Sequence, residues 1–156
     1  MLGALRGMLS DRLSGRGTDT PATPAVGLFV DGPNVLREEF DVDLDDVRAV
    51  GEGAGRLACA RLYLDEHATP GLIQAAEARG FAVTVTSGDV DVRLAVDATA
   101  LLPGLDVLAI ASRDADFKPV LERAATAGVE TFAIAPGVDG RSDALRNAAH
   151  GTATLE

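Results

Sequence analysis

Four aspartates of this chain lie where apolar segments give way to polar ones, a position at which a carboxylate can meet a ligand, and a fifth candidate lies within a predicted helix. They are Asp31, Asp91, Asp97, Asp114 and Asp116. Carboxylates that are packed together repel one another and raise each other's pKa unless a cation neutralises them. A set of oxygen ligands, with no histidine nearby and no second cysteine, favours Mg²⁺ or Mn²⁺ over zinc. The residues therefore predict divalent-metal chemistry on a phosphate ester.

Apolar runs alternate with amphipathic segments from residue 26 onward, and this alternation predicts the elements that must position the aspartates. The predicted strands are 26–31, 57–64, 81–86, 106–111, 129–134 and 152–155. The predicted helices are 43–50, 70–79, 91–101, 116–126 and 142–149. Strands that alternate with helices predict a three-layer α/β/α fold around a mainly parallel sheet of five or six strands. The GEGAG segment at 51–55 follows a helix and not a strand, so we interpret it as a loop.

One edge of such a sheet should collect most of the aspartates, because strand carboxyl ends and helix amino ends meet there and ligands bind there. Asp31 follows the first strand, and Asp114 and Asp116 follow the fourth. Each of them alone could be a helix N-cap, but their convergence favours a shared site. Asp97 lies six residues after Asp91, about 9 Å along a helix and roughly 120° around it. It is either a further ligand or a residue behind the ligands.

The chain is acidic, with a formal net charge of -10, 24 acidic residues and 14 basic ones, of which Lys118 is the single lysine. This composition is typical of a halophilic protein, because concentrated salt screens the repulsion within an acidic chain. It argues against a broad basic groove for nucleic acid, which leaves recognition to metal ions and a few arginines. The single cysteine, Cys59, excludes a disulfide within the chain and fits a cytoplasmic protein.

Residues 1–25 form a segment of different character. Leucines recur there at helical spacing with charged residues among them, which predicts a short amphipathic helix and not a signal peptide. A linker rich in Gly, Thr and Pro follows, so we expect the domain proper at 26–156. We expect the helix to pack on the domain, to form a homodimer or to bind a protein partner. No apolar run approaches the roughly 20 residues of a membrane span.

Four segments together resemble the NYN domain: GLFVDGPNVLREEFDVDLDDVR, DVDVRLAVDA, ASRDADFKPVLERAATAGVETFAI and RSDALRNAAH. More narrowly, they look like the LabA-like branch of the PIN-like nuclease superfamily in an archaeal form, over about residues 26–155. The resemblance implies a PIN-like, Rossmannoid fold and ribonuclease chemistry on RNA that depends on Mg²⁺ or Mn²⁺. It assigns the family's acidic positions to the five aspartates and its polar helpers to Asn34 and Ser112. The family often has glycines where this chain has Arg113 and Ala115.

A metal-dependent ribonuclease is therefore the function that we expect. Asp31, Asp91 and Asp114 would hold one or two metals, with Asp116 and Asp97 as further ligands or behind them. Asn34 and Ser112 would orient the carboxylates or the phosphate, and Arg113 would either contact a phosphate or narrow the site.

Two other functions remain open. A phosphomonoesterase of the haloacid dehalogenase type needs a second aspartate two residues after the first, and Pro33 stands there instead. A non-catalytic RNA-binding or regulatory module would act through a protein partner. It would bind metal without cleaving RNA, or would bind no metal.

Overall fold

Six parallel strands form a single sheet in the computed structural model, which describes residues 23–37, 41–137 and 142–155. Across the sheet the strands stand in the order β3-β2-β1-β4-β5-β6. Their bounds are β1 Ala25–Asp31, β2 Arg56–Leu64, β3 Ala82–Val85, β4 Val107–Ala111, β5 Glu130–Ala135 and β6 Gly151–Thr154. The central strands β1 and β4 are buried along their whole length, because helices cover both faces of a parallel sheet. The predicted α/β class and parallel sheet are confirmed.

Within the described ranges, six helices connect or follow these strands. Their bounds are α1 Gly32–Val35, α2 Leu44–Ala54, α3 Pro70–Ala78, α4 Val90–Leu101, α5 Lys118–Thr126 and α6 Asp143–Ala148, with 3-10 turns at Leu102–Gly104 and Ala115–Phe117. Side chains cap three of them: Asp43 accepts a hydrogen bond from the Asp45 N–H, Thr69 from the Leu72 N–H and Ser142 from the Leu145 N–H. Such N-caps satisfy backbone donors that have no partner within the helix. None of the helices in the described ranges is long and apolar enough to cross a membrane.

Two apolar clusters, one on each face of the sheet, make up the core. Val47 of α2 and Ala76 of α3 pack with Leu28 and Leu62 on one face. Leu94 of α4, Leu121 of α5 and Leu145 of α6 pack on the other face, among residues such as Phe29. Burial of a large apolar side chain contributes about 1.5–3 kcal/mol, so the two clusters hold the three layers together. The expected α/β/α layering is confirmed.

The segment GEGAG departs from the prediction. Residues 51–54 are the last turn of α2, and the helix ends only at Gly55, so the interpretation of 51–55 as a loop is wrong. A Cβ atom at Gly51 would lie 3.1 Å from side-chain atoms of both Leu28 and Leu57. Glycine is therefore used there because α2 lies close against the sheet. Close packing offsets the low helix propensity of glycine.

The amino-terminal helix predicted within residues 1–25 falls almost entirely on 1–22, which lie outside the described ranges. The division into 1–25 and 26–156 therefore stays a prediction. The described chain begins at Thr23 and enters β1 at Ala25.

Candidate active site

The candidate site lies at the carboxyl ends of β1 and β4, which are neighbours at the centre of the sheet. The chain leaves β1 toward β2 on one side and leaves β4 toward β5 on the other. In open α/β sheets, ligands bind in the crevice at this reversal of strand order. Asp31 is the last residue of β1 and Ser112 directly follows β4, so both stand at the crevice.

Asp31 is a buried carboxylate, with 5% of its surface exposed. Its pKa is raised to about 6, first because burial removes water from the charged form, and further because the negative charges of Asp114 and Asp91 lie near. A hydrogen bond from the Ser112 hydroxyl, 3.2 Å from Oδ2, opposes part of this rise. A positive charge placed beside Asp31 would therefore stabilise its ionised form.

Ser112 and Asn34 join the end of β1 to the loop after β4. The Asn34 side-chain oxygen accepts a 2.7 Å hydrogen bond from the backbone N–H of Arg113. Ser112 Oγ accepts a hydrogen bond from the Asp114 N–H at 3.0 Å and lies within reach of both Asp31 and Asn34. The hydroxyl has one proton, so it donates to one of these two oxygens at a time. Asp114 thus has a backbone position set directly by Ser112.

A close backbone crossing positions Asp31. The residue after it, Gly32, begins α1, a short helix that the sequence did not predict. A Cβ atom at Gly32 would lie 2.5 Å from the Tyr63 carbonyl oxygen and 2.5 Å from Leu64 Cδ2. Glycine at this point lets the chain turn directly over the end of β2, which directs Asp31 into the crevice.

Three of the predicted aspartates come together as a carboxylate trio: Asp91, Asp114 and Asp116. Each offers an oxygen that lies within 4.8 Å of the others. Asp91 lies in the first turn of α4, while Asp114 caps the 3-10 turn that contains Asp116 and accepts its backbone N–H at 2.9 Å. An all-carboxylate, partly solvated donor set fits Mg²⁺ or Mn²⁺, which prefer oxygen ligands and retain waters. Asp31 is not part of the trio, although the charges of Asp114 and Asp91 reach it.

Asp97 does not join the trio; its carboxylate contacts two arginines and a tyrosine hydroxyl. The Tyr63 hydroxyl donates to Asp97 Oδ2 at 2.8 Å, and the Arg93 Nε lies 3.2 Å from both carboxylate oxygens. Arg61 Nη1 lies 3.7 Å from the same Oδ2. The structure therefore brings Asp97 into a separate ion-pair cluster on the opposite flank of α4.

Two further residues, Arg113 and Asp89, adjoin the site residues along the chain. Arg113 is half-buried and holds its place through its backbone bond to Asn34. Asp89 is the N-cap residue of α4, with a left-handed φ of 45° and no capping hydrogen bond from its side chain.

Sequence reasoning missed Tyr63 and Arg93, which together with Arg61 surround Asp97. The pair Arg93–Asp97 has the i, i+4 spacing of a helical ion pair, a signal that the sequence contained. Nothing local indicated Tyr63, which is 34 residues from Asp97 along the chain.

Comparison with known proteins agrees with this geometry. The NYN domain family matches residues 25–156. An uncharacterized protein of the archaeon Methanocaldococcus jannaschii is 42% identical over 126 residues, which cover 80% of this chain and 52% of that protein. The chain thus spans about half the length of this curated relative.

The crystal structure of a protein of unknown function from Vibrio parahaemolyticus superposes with a TM-score of 0.75 at 19% identity. The superposition covers 89% of this chain and 97% of the Vibrio chain, and at this identity it bears on the fold alone. The family match, the parallel sheet and the acidic cluster agree with one another. The chain belongs to the NYN domain family, a member of the PIN-like nuclease superfamily.

Proposed function

We propose that this protein is a ribonuclease that hydrolyses RNA phosphodiester bonds with the help of Mg²⁺ or Mn²⁺. The observation that carries the proposal is the carboxylate trio, whose oxygens lie within 4.8 Å of one another at the crevice of the sheet. A family membership within the PIN-like nucleases supports it. Since like charges repel, a cation held between the three carboxylates would relieve the repulsion among them.

The ligands of the cation, in this proposal, are Asp91, Asp114 and Asp116, with Asp31 as a fourth carboxylate behind them. A bound divalent cation supplies neutralisation of phosphate charge and a water of lowered pKa. Asp31 favours its ionised form next to positive charge, which reverses the effect of its burial. Burial and the hydrogen bond from Ser112 to one of its oxygens together restrict the conformation of the Asp31 side chain.

Asn34 and Ser112 act as positioning residues in this proposal. Their hydrogen bonds reach Asp31, the Arg113 backbone and the Asp114 backbone, so they set the distance between β1 and the loop after β4. Arg113, which follows Ser112 along the chain, is placed to contact the phosphate of the substrate. Asp97, which lies outside the trio on the opposite flank of α4, is not a ligand of the cation in this proposal.

Further parts of the proposal rest on the sequence. The motifs favour the LabA-like branch in an archaeal form. The acidic composition, with a net charge of -10, favours work in concentrated salt. We infer a cytoplasmic location from the single cysteine. The leucine stripe within residues 1–25 favours a homodimer or a protein partner.

The test is RNA cleavage in molar KCl with Mn²⁺, in parallel with an EDTA control. The Asp114→Asn variant should lose cleavage by at least about a hundredfold, because it removes one charged ligand. The matched control is Asp46→Asn, which makes the same chemical change at an exposed position in the first turn of α2. Cleavage that persists in EDTA, or equal activity of the two variants, would contradict the proposal. A folded protein that binds Mn²⁺ and RNA without cleavage would point to the regulatory module.

A further inference from the structure

Two arginines flank Asp97 on the side of α4 that faces β2, and together with Tyr63 they form what we call the arginine cluster: Arg61, Tyr63, Arg93 and Asp97. The Arg93 Nε lies 3.2 Å from both Asp97 oxygens, and Arg61 Nη1 lies 3.7 Å from Oδ2. Tyr63, which is fully buried, donates to the same oxygen and accepts a hydrogen bond from Arg61. One carboxylate and one phenol therefore hold both guanidinium groups.

The helix geometry places the arginine cluster next to the carboxylate trio but across α4 from it. Asp91 and Arg93 are two residues apart, which is about 3 Å along the helix axis and about 200° around it. Asp91 faces Asp114 and Asp116, whereas Arg93 pairs with Asp97, which in turn contacts Tyr63 and Arg61 of β2. The first turns of α4 thus separate the two groups by about the width of a helix, ~10 Å.

The charge of the arginine cluster is directed outward. Two guanidinium groups against one carboxylate leave a net positive charge. The side chains of Arg61 and Arg93 are 34% and 53% exposed, while that of Asp97 is 17% exposed. The compensating negative charge therefore lies inside and the positive charges face solvent. Each guanidinium has five N–H donors, more than its contacts with Asp97 and Tyr63 employ.

A shallow surface continues from the arginine cluster toward the sheet edge. Tyr63 and Arg61 of β2 are level with Thr84 and Ala82 of the edge strand β3, and in a parallel pair such partners point to the same face. The helix that packs on β3 is α3, whose Ala76 belongs to the core on the other face. On the α4 side Ala82 is exposed and Thr84 is half-buried. This face of β3 is therefore at least partly accessible to solvent beside α4.

We propose that Arg61 and Arg93 form a phosphate-binding subsite for the RNA strand, with Asp97 and Tyr63 as the residues that position them. The proposal rests on the ribonuclease function and extends it. A planar guanidinium fork matches a phosphate in two-point contact, and Asp97 holds both forks in advance. A strand that enters the carboxylate trio would cross the amino-terminal end of α4 and meet the arginines a few nucleotides away. Phosphate contacts of this kind position a strand without reading its sequence.

The test compares the double variant Arg61→Gln/Arg93→Gln with Arg123→Gln. Arg123 is exposed on the last turn of α5, toward the opposite edge of the sheet, so Arg123→Gln is a control for the loss of one positive charge. The single variants Arg61→Gln and Arg93→Gln, which also lose one charge each, are compared with it alongside the double variant. Kinetics in Mn²⁺ give KM and kcat for a single-stranded RNA of about 15 nucleotides. Fluorescence anisotropy of the same RNA, with Ca²⁺ as an oxygen-ligated substitute cation, gives the affinity across a KCl series.

The double variant should raise KM by about tenfold and leave kcat within about twofold, because phosphate contacts bind ground state and transition state alike. The slope of log affinity against log salt should fall by about 0.7 for each lost contact. Arg93→Lys, which keeps the charge but not the fork, should give an intermediate KM.

Equal KM values for the double variant and Arg123→Gln would overturn the subsite, as would a fall in kcat at unchanged KM. Thermal unfolding of each variant shows whether it is folded, and a destabilised double variant is replaced by the single Arg93→Gln. Wild-type protein that binds RNA without cleaving it would contradict the ribonuclease and leave the subsite standing. Wild-type protein that does not bind RNA at all would contradict both the ribonuclease function and the phosphate-binding subsite.

Discussion

The hydroxyl of Tyr63 donates a 2.8 Å hydrogen bond to Asp97 and so ties β2 to the middle of α4. Tyr63 is fully buried and its ring stacks on Phe29, with ring centroids 6.4 Å apart. Burial, followed by the bond to Asp97, raises the pKa of Tyr63 far above its usual value, so the phenol stays protonated and donates at any ordinary pH. The hydrogen bond therefore links β2 to the helix that also carries Asp91.

Replacing Tyr63 by Phe should destabilise the fold by about 1–2 kcal/mol, because Asp97 loses a partner in a partly buried place. Urea unfolding measures this change. In a double-mutant cycle with Asp97→Ala, the coupling energy should be about 1 kcal/mol. Strictly additive losses would mean that the hydrogen bond does not stabilise the fold.

The pKa of Asp31 predicts a stability that depends on pH in the metal-free protein. Its folded pKa is about 6, above the ordinary value of 3.8, so the folded state favours the protonated carboxyl. This contribution is complete below pH 3.8 and is lost as the pH rises through about 6, where ionisation costs up to about 3 kcal/mol. Asp31→Asn removes the titrating group. The variant should therefore gain stability relative to wild type between pH 4 and pH 8.

Urea unfolding in EDTA across this pH range measures the difference between the two proteins, from which other titrating groups cancel. Asp46→Asn, at an exposed position, should track the wild type throughout. A difference between wild type and Asp31→Asn that does not change with pH would contradict the raised pKa.

Metal binding by the carboxylate trio predicts a shift in melting temperature. A cation that binds the folded state alone stabilises it in proportion to the logarithm of its concentration. The wild type should gain about 2.7 kcal/mol at a Mn²⁺ concentration of a hundred times Kd. The Asp116→Asn variant should need an Mn²⁺ concentration at least about tenfold higher than the wild type for the same rise in melting temperature. Differential scanning calorimetry with and without Mn²⁺ measures the melting temperatures of both proteins. A wild-type melting temperature insensitive to Mn²⁺ would exclude the metal centre.

Gly32 and Gly71 make a matched pair of substitutions. Gly32→Ala should destabilise the fold by about 1–3 kcal/mol, since its Cβ would press on the Tyr63 carbonyl oxygen and on Leu64. Gly71→Ala, within α3, meets no atom within 4 Å and should stabilise by about 0.5–1 kcal/mol through helix propensity. Equal effects of the two variants in urea unfolding would show that the crossing over β2 is not tight.

The elements of the fold were predictable because their signals are local. Central parallel strands are continuous apolar runs, so β1 and β4 were recognisable to within a residue or so. Gly80 and Gly128, with φ of 86° and 81°, each lie two residues after the last residue of a helix, which is the usual place of glycine at a helix end. The exception, GEGAG, is helical because Gly51 packs against Leu28, a contact that no local pattern contains.

The candidate site also has a part that the sequence could predict and a part that depends on tertiary packing. The sequence by itself placed Asp31, Asp91, Asp114 and Asp116 at one edge of the sheet, since the parallel topology carries strand ends and helix starts there. Of these four, Asp91, Asp114 and Asp116 meet as the trio and Asp31 lies outside it. Tertiary structure alone decided where Asp97 points, because the packing of Leu94 and Ala98 on the sheet sets the rotation of α4. That rotation turns Asp97 toward Tyr63 and Arg61 on β2. Contacts between residues more than 30 positions apart depend on how helix and sheet pack, and spacing along one helix cannot specify them.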